Sequence, residues 1–368
     1  MSTPPPTPTP LLGLVREELR ALAAYSVPSG KAPVKLDANE SPWPLPAEAR
    51  ERIGRSLAEV EMHRYPDARA SELRAALATH LECGEDELVI GCGSDEVIAI
   101  MLTALSRPRE GSARAVVLYP TPTFVMYRIS ALAHGVEPVE VPLGARFALD
   151  VDAMRSAMER TRPNIVFLAS PNNPTGNAFD DEAIEAVVRA APDALIVIDE
   201  AYRAFAGRTL ADWTKRFDNV AVLGTLSKIG LAAARVGWLR VSPALAAEID
   251  KARQPFNLSA LAQRVATLAL GELAHVLREH VRDIVRERTR LGTELARIGS
   301  LEIYPSAANF FLVRHDGDTP ALVARLADSG ILVRSFHAHG GALAHHVRIT
   351  VGTPPENDRL LRALRARG

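Results

Sequence analysis

Cysteine is nearly absent from this 368-residue chain. Cys83 and Cys92 are its only two, too few for a disulfide framework and in keeping with a reducing cytoplasm. No apolar run approaches the roughly 20 residues that a membrane helix needs. The start is a Pro/Thr-rich stretch over residues 2–10 that reads as a disordered prefix, with neither the basic opening nor the apolar core of a secretory signal. An excess of one charge is also missing. Lys and Arg number 43 against 44 Asp and Glu, a formal net charge of -1, and no concentrated basic face marks a nucleic-acid partner. There is no internal repeat. These absences leave a cytoplasmic globular protein acting on small molecules, without nucleic acid or membrane as partner. Its 47% hydrophobic content and a length beyond one ordinary core imply two domains.

What is present is a regular alternation. After the prefix, 1–10, residues 11–24 read as an amphipathic helix and 37–46 as a Pro-rich connection. From 71 to 249 helical patterns alternate with short apolar runs at 116–118, 139–141, 165–168, 195–198, 220–223 and 236–241. That alternation predicts an α/β fold, a mostly parallel sheet between helices in a three-layer α/β/α domain. Residues 258–298 read as long and helical, the bridge to a smaller α+β domain. That domain has strands at 301–304, 310–313, 331–334 and 347–351, a helix at 320–329, and a closing helix from Glu356. The expected division is an N-terminal arm at 11–45, a large cofactor-binding domain at 46–270 and a small domain at 271–368.

The residues at the strand ends carry a specific chemistry. A lysine amine condenses with an aldehyde and, once a substrate amine displaces it, is a free base beside the substrate Cα. Lys228, in Thr225-Leu226-Ser227-Lys228, is the candidate. A pyridine ring accepts electrons only while protonated, which calls for a buried carboxylate, and Asp199 ends the apolar run 194–198. An opposite charge in contact raises such a ring nitrogen by about 1–3 pKa units. Asn173 and Tyr202 offer an amide and a phenol to the ring's oxygen from loops that end neighbouring strands, where open α/β sheets bind ligands. A phosphate needs N–H groups and cations. Gly91-Cys92-Gly93-Ser94-Asp95-Glu96 follows a short apolar strand and opens a helix, which makes Gly93, Ser94 and Asp95 an anion cradle, and Ser227 and Arg235 add a hydroxyl and a guanidinium. Singly these residues have plainer explanations: Asp199 as a helix cap, Asn173-Pro174-Thr175-Gly176 as a turn, Lys228 as a surface lysine. The ordered set describes pyridoxal 5′-phosphate, with Lys228, Asp199 and Tyr202 as catalytic residues.

The same segments carry a resemblance. Leu36-Asp37-Ala38-Asn39-Glu40-Ser41-Pro42, Arg64-Tyr65-Pro66-Asp67, Ser170-Pro171-Asn172-Asn173-Pro174-Thr175-Gly176, Ile198-Asp199-Glu200-Ala201-Tyr202, the stretch 225–237 and Val347-Arg348-Ile349-Thr350-Val351-Gly352-Thr353 occur in this order. Together they resemble the fold-type I pyridoxal-phosphate aminotransferases and, within them, the histidinol-phosphate aminotransferase family. The resemblance implies amino transfer between L-histidinol phosphate and 2-oxoglutarate, giving imidazole-acetol phosphate and L-glutamate in histidine biosynthesis. It also implies a homodimer in which Tyr65 reaches the cofactor phosphate of the neighbouring subunit. By the same resemblance Phe124 stacks on the cofactor face, Arg348 grips a substrate carboxylate and Arg334 meets the phosphate of histidinol phosphate. Tyr25 belongs to an arm that closes over the substrate, and Asn39 to a substrate-contacting segment.

One departure stands out: where the family commonly has Gly-Leu before the phosphate arginine, this chain has Ala233-Ala234, so the loop to Arg235 is expected to be built differently. Three alternatives share the pattern: an aromatic or other amino-acid aminotransferase, a lyase like threonine-phosphate decarboxylase, and a cofactor-binding regulator without turnover. The absence of an appended DNA-binding segment speaks against the last. His337, His339, His345 and His346 crowd one segment, but intervening glycines and the lack of paired carboxylates or cysteines favour a polar loop over a metal site.

Overall fold

The computed structural model of the chain describes residues 10–22 and 32–366; Tyr25 lies outside them. The strands, in chain order, are β1 (Val34–Leu36), β2 (Leu88–Cys92), β3 (Val116–Thr121), β4 (Glu137–Pro142), β5 (Ile165–Ala169), β6 (Leu195–Asp199), β7 (Val220–Thr225), β8 (Val236–Arg240), β9 (Leu301–Ile303), β10 (Phe310–His315), β11 (Ile331–Ser335) and β12 (His346–Thr350). They form a seven-stranded sheet of order β2-β8-β7-β6-β5-β3-β4 and a five-stranded sheet of order β1-β11-β12-β10-β9. Every residue of β5, β6 and β7 is buried, because helices cover both faces of the larger sheet.

The larger sheet is parallel except at β8, which pairs antiparallel with both β7 and β2. The reason is connection length. Residues 226–235 between β7 and β8 are fewer than the dozen or so that a parallel crossover needs, so the chain must turn straight back. That return carries Ser227, Lys228 and Arg235. The smaller sheet is antiparallel apart from β1, which lies parallel to β11 with Val34 opposite Ile331 and so ties the N-terminal segment into it.

Helix Ala274–Leu295, 22 residues and so about 33 Å long, joins the two cores. Its Leu277 packs with Leu226, Trp238 and Leu270 of the larger unit, whereas Ile284, Leu291 and Leu295 pack with Phe310, Val313 and Ile349 of the smaller.

The amphipathic helix expected over 11–24 needs correcting. The described part holds a 3-10 helix, Pro10–Leu14, and a single α-helical turn, Glu17–Arg20. Leu11 and Leu14 are 71% and 82% exposed, so this part of the apolar stripe buries too little to offset the cost of nucleating a longer helix.

Candidate functional site

The C-terminal ends of β5, β6 and β7, the β7–β8 return, the start of helix Gly93–Ala104 and strands β11 and β12 surround a cavity of about 170 Å³. From the larger unit Ser94, Asp95, Phe124, Asn173, Asp199, Tyr202, Ser227, Lys228 and Arg235 line it. Asn39, Arg334 and Arg348 line it from the smaller sheet and the segment leading out of β1. Residues up to 311 positions apart are thereby in hydrogen-bonding contact.

Asp199 is the electrostatic centre. It is 5% exposed, its Oδ2 accepts from Tyr127 Oη at 2.6 Å and its Oδ1 accepts the Ala201 N–H at 3.0 Å. No ion pair neutralises it among the described residues. Burial pushes its carboxyl above the ordinary range, and the hydrogen bonds from Tyr127 and Ala201 pull against that rise. The Tyr127 ring is fully buried and stacked on Phe167 at 4.5 Å. Burial and then the Asp199 charge push its phenol far above the ordinary tyrosine value, so it stays a donor. A buried carboxylate without a cation costs several kcal/mol, which a positively charged ring nitrogen beside it would offset. Phe124 meets Tyr127 edge-on, 5.6 Å between centroids, and lines the cavity.

Lys228 sits in the short 3-10 helix Ser227–Ile229, closed by Gly230 at φ +112°. Its Nζ is 5.8 Å from the centroid of the Tyr202 ring. Thr225 Oγ1 fixes the turn: it accepts the Ser227 N–H at 3.1 Å and lies 2.9 Å from Ser227 Oγ.

The anion end is built by close approach. Helix Gly93–Ala104 has no side-chain cap, which leaves its first N–H groups for an external acceptor. A Cβ on Gly237 would stand 2.4 Å from Gly93 C and Ser94 N, and one on Gly93 would stand 2.6 Å from Arg235 Nη2. Arg235 Nη2 donates to Asp95 Oδ2 at 3.1 Å. The left-handed turn that the Ala233-Ala234 departure put in question falls on Arg235 itself, at φ +51°, after the 3-10 helix Ala232–Ala234. A non-glycine residue held there carries strain of about 1–3 kcal/mol, and such strain clusters at functional sites.

Two arginines close the other side. Arg348 is 9% exposed, and it donates to Asn173 Oδ1 at 2.5 Å and to the Asp37 carbonyl at 2.6 Å, with its guanidinium 5.4 Å from the Phe310 ring centroid. Arg334 stands directly opposite it in the β11–β12 register and has no ion pair among the described residues. Like charges facing each other across strands destabilise a sheet unless an anion lies between them. Asn39, 1% exposed, gives its amide to Tyr202 Oη at 2.9 Å and receives the Thr350 hydroxyl at 3.1 Å. Its amide is committed to holding Tyr202 in place.

Tyr65 is not part of this cavity: it is 81% exposed and stacks on Phe256 at 4.7 Å. Tyr25 falls outside the described residues. His337 Nδ1 donates to the Ala344 carbonyl at 2.9 Å, and His346 Nε2 lies 3.3 Å from Tyr304 Oη. Among the described residues no group of three metal-type side chains converges. Sequence reasoning missed Tyr127 and Thr350. Tyr127 had a weak signal, three residues after Phe124 and so on the same helical face; Thr350 had none beyond its place next but one to Arg348.

Comparison with known proteins agrees with the geometry. The model of the family "aminotransferase class I and II" matches residues 31–364. A curated relative from Burkholderia lata, named histidinol-phosphate aminotransferase 1, is 44% identical over 96% of this chain and 97% of its own. A histidinol-phosphate aminotransferase from Chromobacterium violaceum is 42% identical over 95% of this chain and 97% of its own. Among solved structures, the histidinol-phosphate aminotransferase from Sinorhizobium meliloti in complex with pyridoxal-5′-phosphate has a TM-score of 0.83 at 28% identity, covering 95% of this chain and 96% of that one. By the extent of the family match and the identity to these relatives, the chain belongs to the class I and II aminotransferases.

Proposed function

We propose that this chain catalyses pyridoxal 5′-phosphate-dependent amino transfer between L-histidinol phosphate and 2-oxoglutarate, giving imidazole-acetol phosphate and L-glutamate. The donor set fits the cofactor: a buried carboxylate at Asp199 with no ion pair among the described residues, an uncapped helix start beside Arg235, and a lysine on the same cavity wall. When bound, the cofactor supplies an aldehyde that captures the amine and a pyridinium ring that draws electron density from the substrate Cα.

The rest is the work of this chain's side chains. Lys228, on the cavity wall beside Tyr202, would be the amine that holds the cofactor's aldehyde and, once free, the base beside the substrate Cα. Asp199, whose ionised form the hydrogen bonds from Tyr127 and Ala201 favour against burial, would hold the ring nitrogen protonated. The Asn173 amide and the Tyr202 phenol, both on the cavity wall, would donate to the cofactor's ring oxygen, and Phe124 would pack on the ring. Ser227, Arg235 and the N–H groups of Gly93, Ser94 and Asp95 hold the phosphate.

The observation that carries the reading is the register of Arg334 opposite Arg348, with both arginines lining the cavity that Lys228 lines. Both proposed substrates are anions of the matching kind: Arg348 receives the α-carboxylate of glutamate or 2-oxoglutarate and Arg334 the phosphate of histidinol phosphate. The names of the relatives at 42–44% identity support histidinol phosphate as the amino donor and do not favour the lyase alternative.

The same reading makes the active unit a homodimer. The 81% exposed Tyr65 ring is set on Phe256, available to reach the cofactor phosphate of a second copy. Unpaired Cys83 and Cys92 suit a cytoplasmic location. The test is the half-reaction: histidinol phosphate without an acceptor should convert the bound cofactor's absorbance to that of pyridoxamine phosphate, and initial-rate lines with both substrates should be parallel. Release of carbon dioxide, or no spectral change, refutes the assignment.

A further inference from the structure

A cavity of about 600 Å³ backs onto the candidate site through Ala201 and Thr225, which line both. It opens between helices Ser71–Leu81, Arg203–Ala206 and Ala274–Leu295, and its volume is that of an ordinary small-molecule pocket. Trp238, Leu270, Leu277 and Val281 give it an apolar floor. None of its lining residues belongs to the cleft around Tyr65, so the proposed dimer contact of that tyrosine does not draw on it.

Its charge is one-sided. Arg203 and Arg278 have no ion pair among the described residues, and Arg203 Nη2 lies 3.4 Å from His80 Nε2. The rim arginines, Arg208 and Arg282, already face Asp181 and Glu279. The one carboxylate on the wall, Glu200, offsets part of the Arg203 charge and accepts from the Thr209 hydroxyl and the Leu210 N–H, both at 2.6 Å. Burial strips water from the Arg203 guanidinium. His80 reports the same field: packing, then the charges of Arg203 and Arg278, push its ring down to about 4, so it meets Arg203 as a neutral acceptor. Two arginines, one of them desolvated, against a single carboxylate beside an apolar floor are the chemistry of an amphiphilic anion site.

We propose that this cavity is a second ligand site, separate from the catalytic one, for a small amphiphilic anion whose phosphate, sulfonate or carboxylate meets Arg203 and Arg278 while its apolar body lies on Trp238 and Leu277. An occupant there bears on the lysine turn. Ile229 lines the cavity, and the position of a Cβ on Gly230 is 3.8 Å from Leu277 and 3.7 Å from His280 of the bridging helix. The inference does not depend on which amino donor the enzyme uses.

The test is a fluorescence titration of the protein loaded with pyridoxal 5′-phosphate, using anilinonaphthalene sulfonate with and without saturating 2-oxoglutarate. Saturable binding at one site per chain, unmoved by 2-oxoglutarate, is expected. Phenyl phosphate should displace the dye at lower concentration than inorganic phosphate, since it brings a ring for the floor. The pair Arg203→Gln and Arg278→Gln should weaken binding about tenfold or more, as loss of two charge-assisted hydrogen bonds requires, and leave dye-free turnover unchanged. Ala204→Trp, at an exposed rim position, should block the dye as well and serves if the double variant does not fold. Equal affinity in folded variants, displacement by 2-oxoglutarate, or non-saturating binding overturns the proposal.

Discussion

A carboxylate that is 5% exposed needs partners, and Asp199 has two hydrogen bonds where a cation would be expected. The phenol of Tyr127 is worth about 1.5–3 kcal/mol as a donor to a charged group. Its loss in Tyr127→Phe should therefore weaken cofactor retention, measured by equilibrium dialysis. It should also shift the acid limb of kcat/KM. The Tyr127 hydrogen bond lowers the Asp199 carboxyl, so removing it raises that carboxyl and the limb moves to higher pH. An unmoved limb with lowered stability would mean that Tyr127 only packs. At this scale residue type and order singled out Lys228, Asp199, Asn173, Tyr202 and Arg235, and the fold gathers all five round one cavity. Tyr127 was not, because nothing local says that a helix residue 72 positions upstream ends against Asp199.

Two elements set the site's dimensions. Strand β8 must pass within backbone contact of the start of helix Gly93–Ala104, and Gly237 permits it. Gly237→Ala places a methyl against backbone atoms that cannot yield, so the sheet and the helix must separate; a loss of about 1–3 kcal/mol in thermal unfolding, with poorer phosphate retention, is expected. The far end of β8 is held by Arg240, 2% exposed, whose Nε is 2.8 Å from Glu87 Oε2. Burial works to raise the Glu87 carboxyl, but the Gly84 N–H and Arg240 outweigh it and hold it below 4.5. A depressed carboxyl contributes stability that is present above its unfolded value and lost as pH falls through the folded one. Glu87→Gln leaves Arg240 without its counter-charge and should cost about 3 kcal/mol at pH 7. In urea unfolding the gap between variant and parent should shrink below pH 4.5. The reversal of β8 was itself readable, since the ten-residue return is too short for a crossover; an expectation of a mostly parallel sheet passes over it.

At the scale of the whole molecule, the homodimer reading has a test that separates it from a self-sufficient chain. Lys228→Ala removes the covalent anchor, and Tyr65→Ala removes the ring offered to the partner. Each variant alone should be nearly inactive at limiting cofactor. Unfolded together and refolded as an equal mixture, they should regain about a quarter of the parent activity, because half of the dimers are mixed and each has one complete site. No recovery would mean that Tyr65 serves its own chain.

The sequence by itself determined most strands and helices from 71 onward and the candidate reactive groups at their ends, because period and composition are local; it misjudged 11–24 and passed over β1. Tertiary structure alone decided which of those ends meet. The facing of Arg334 and Arg348, the left-handed Arg235 that replaces a glycine's freedom, the Tyr127–Asp199 bond and the cationic cavity behind Ala201 all join segments distant in sequence. Their distances are set by how two sheets and a bridging helix pack, which depends on the summed shape and burial of many side chains and on no single motif.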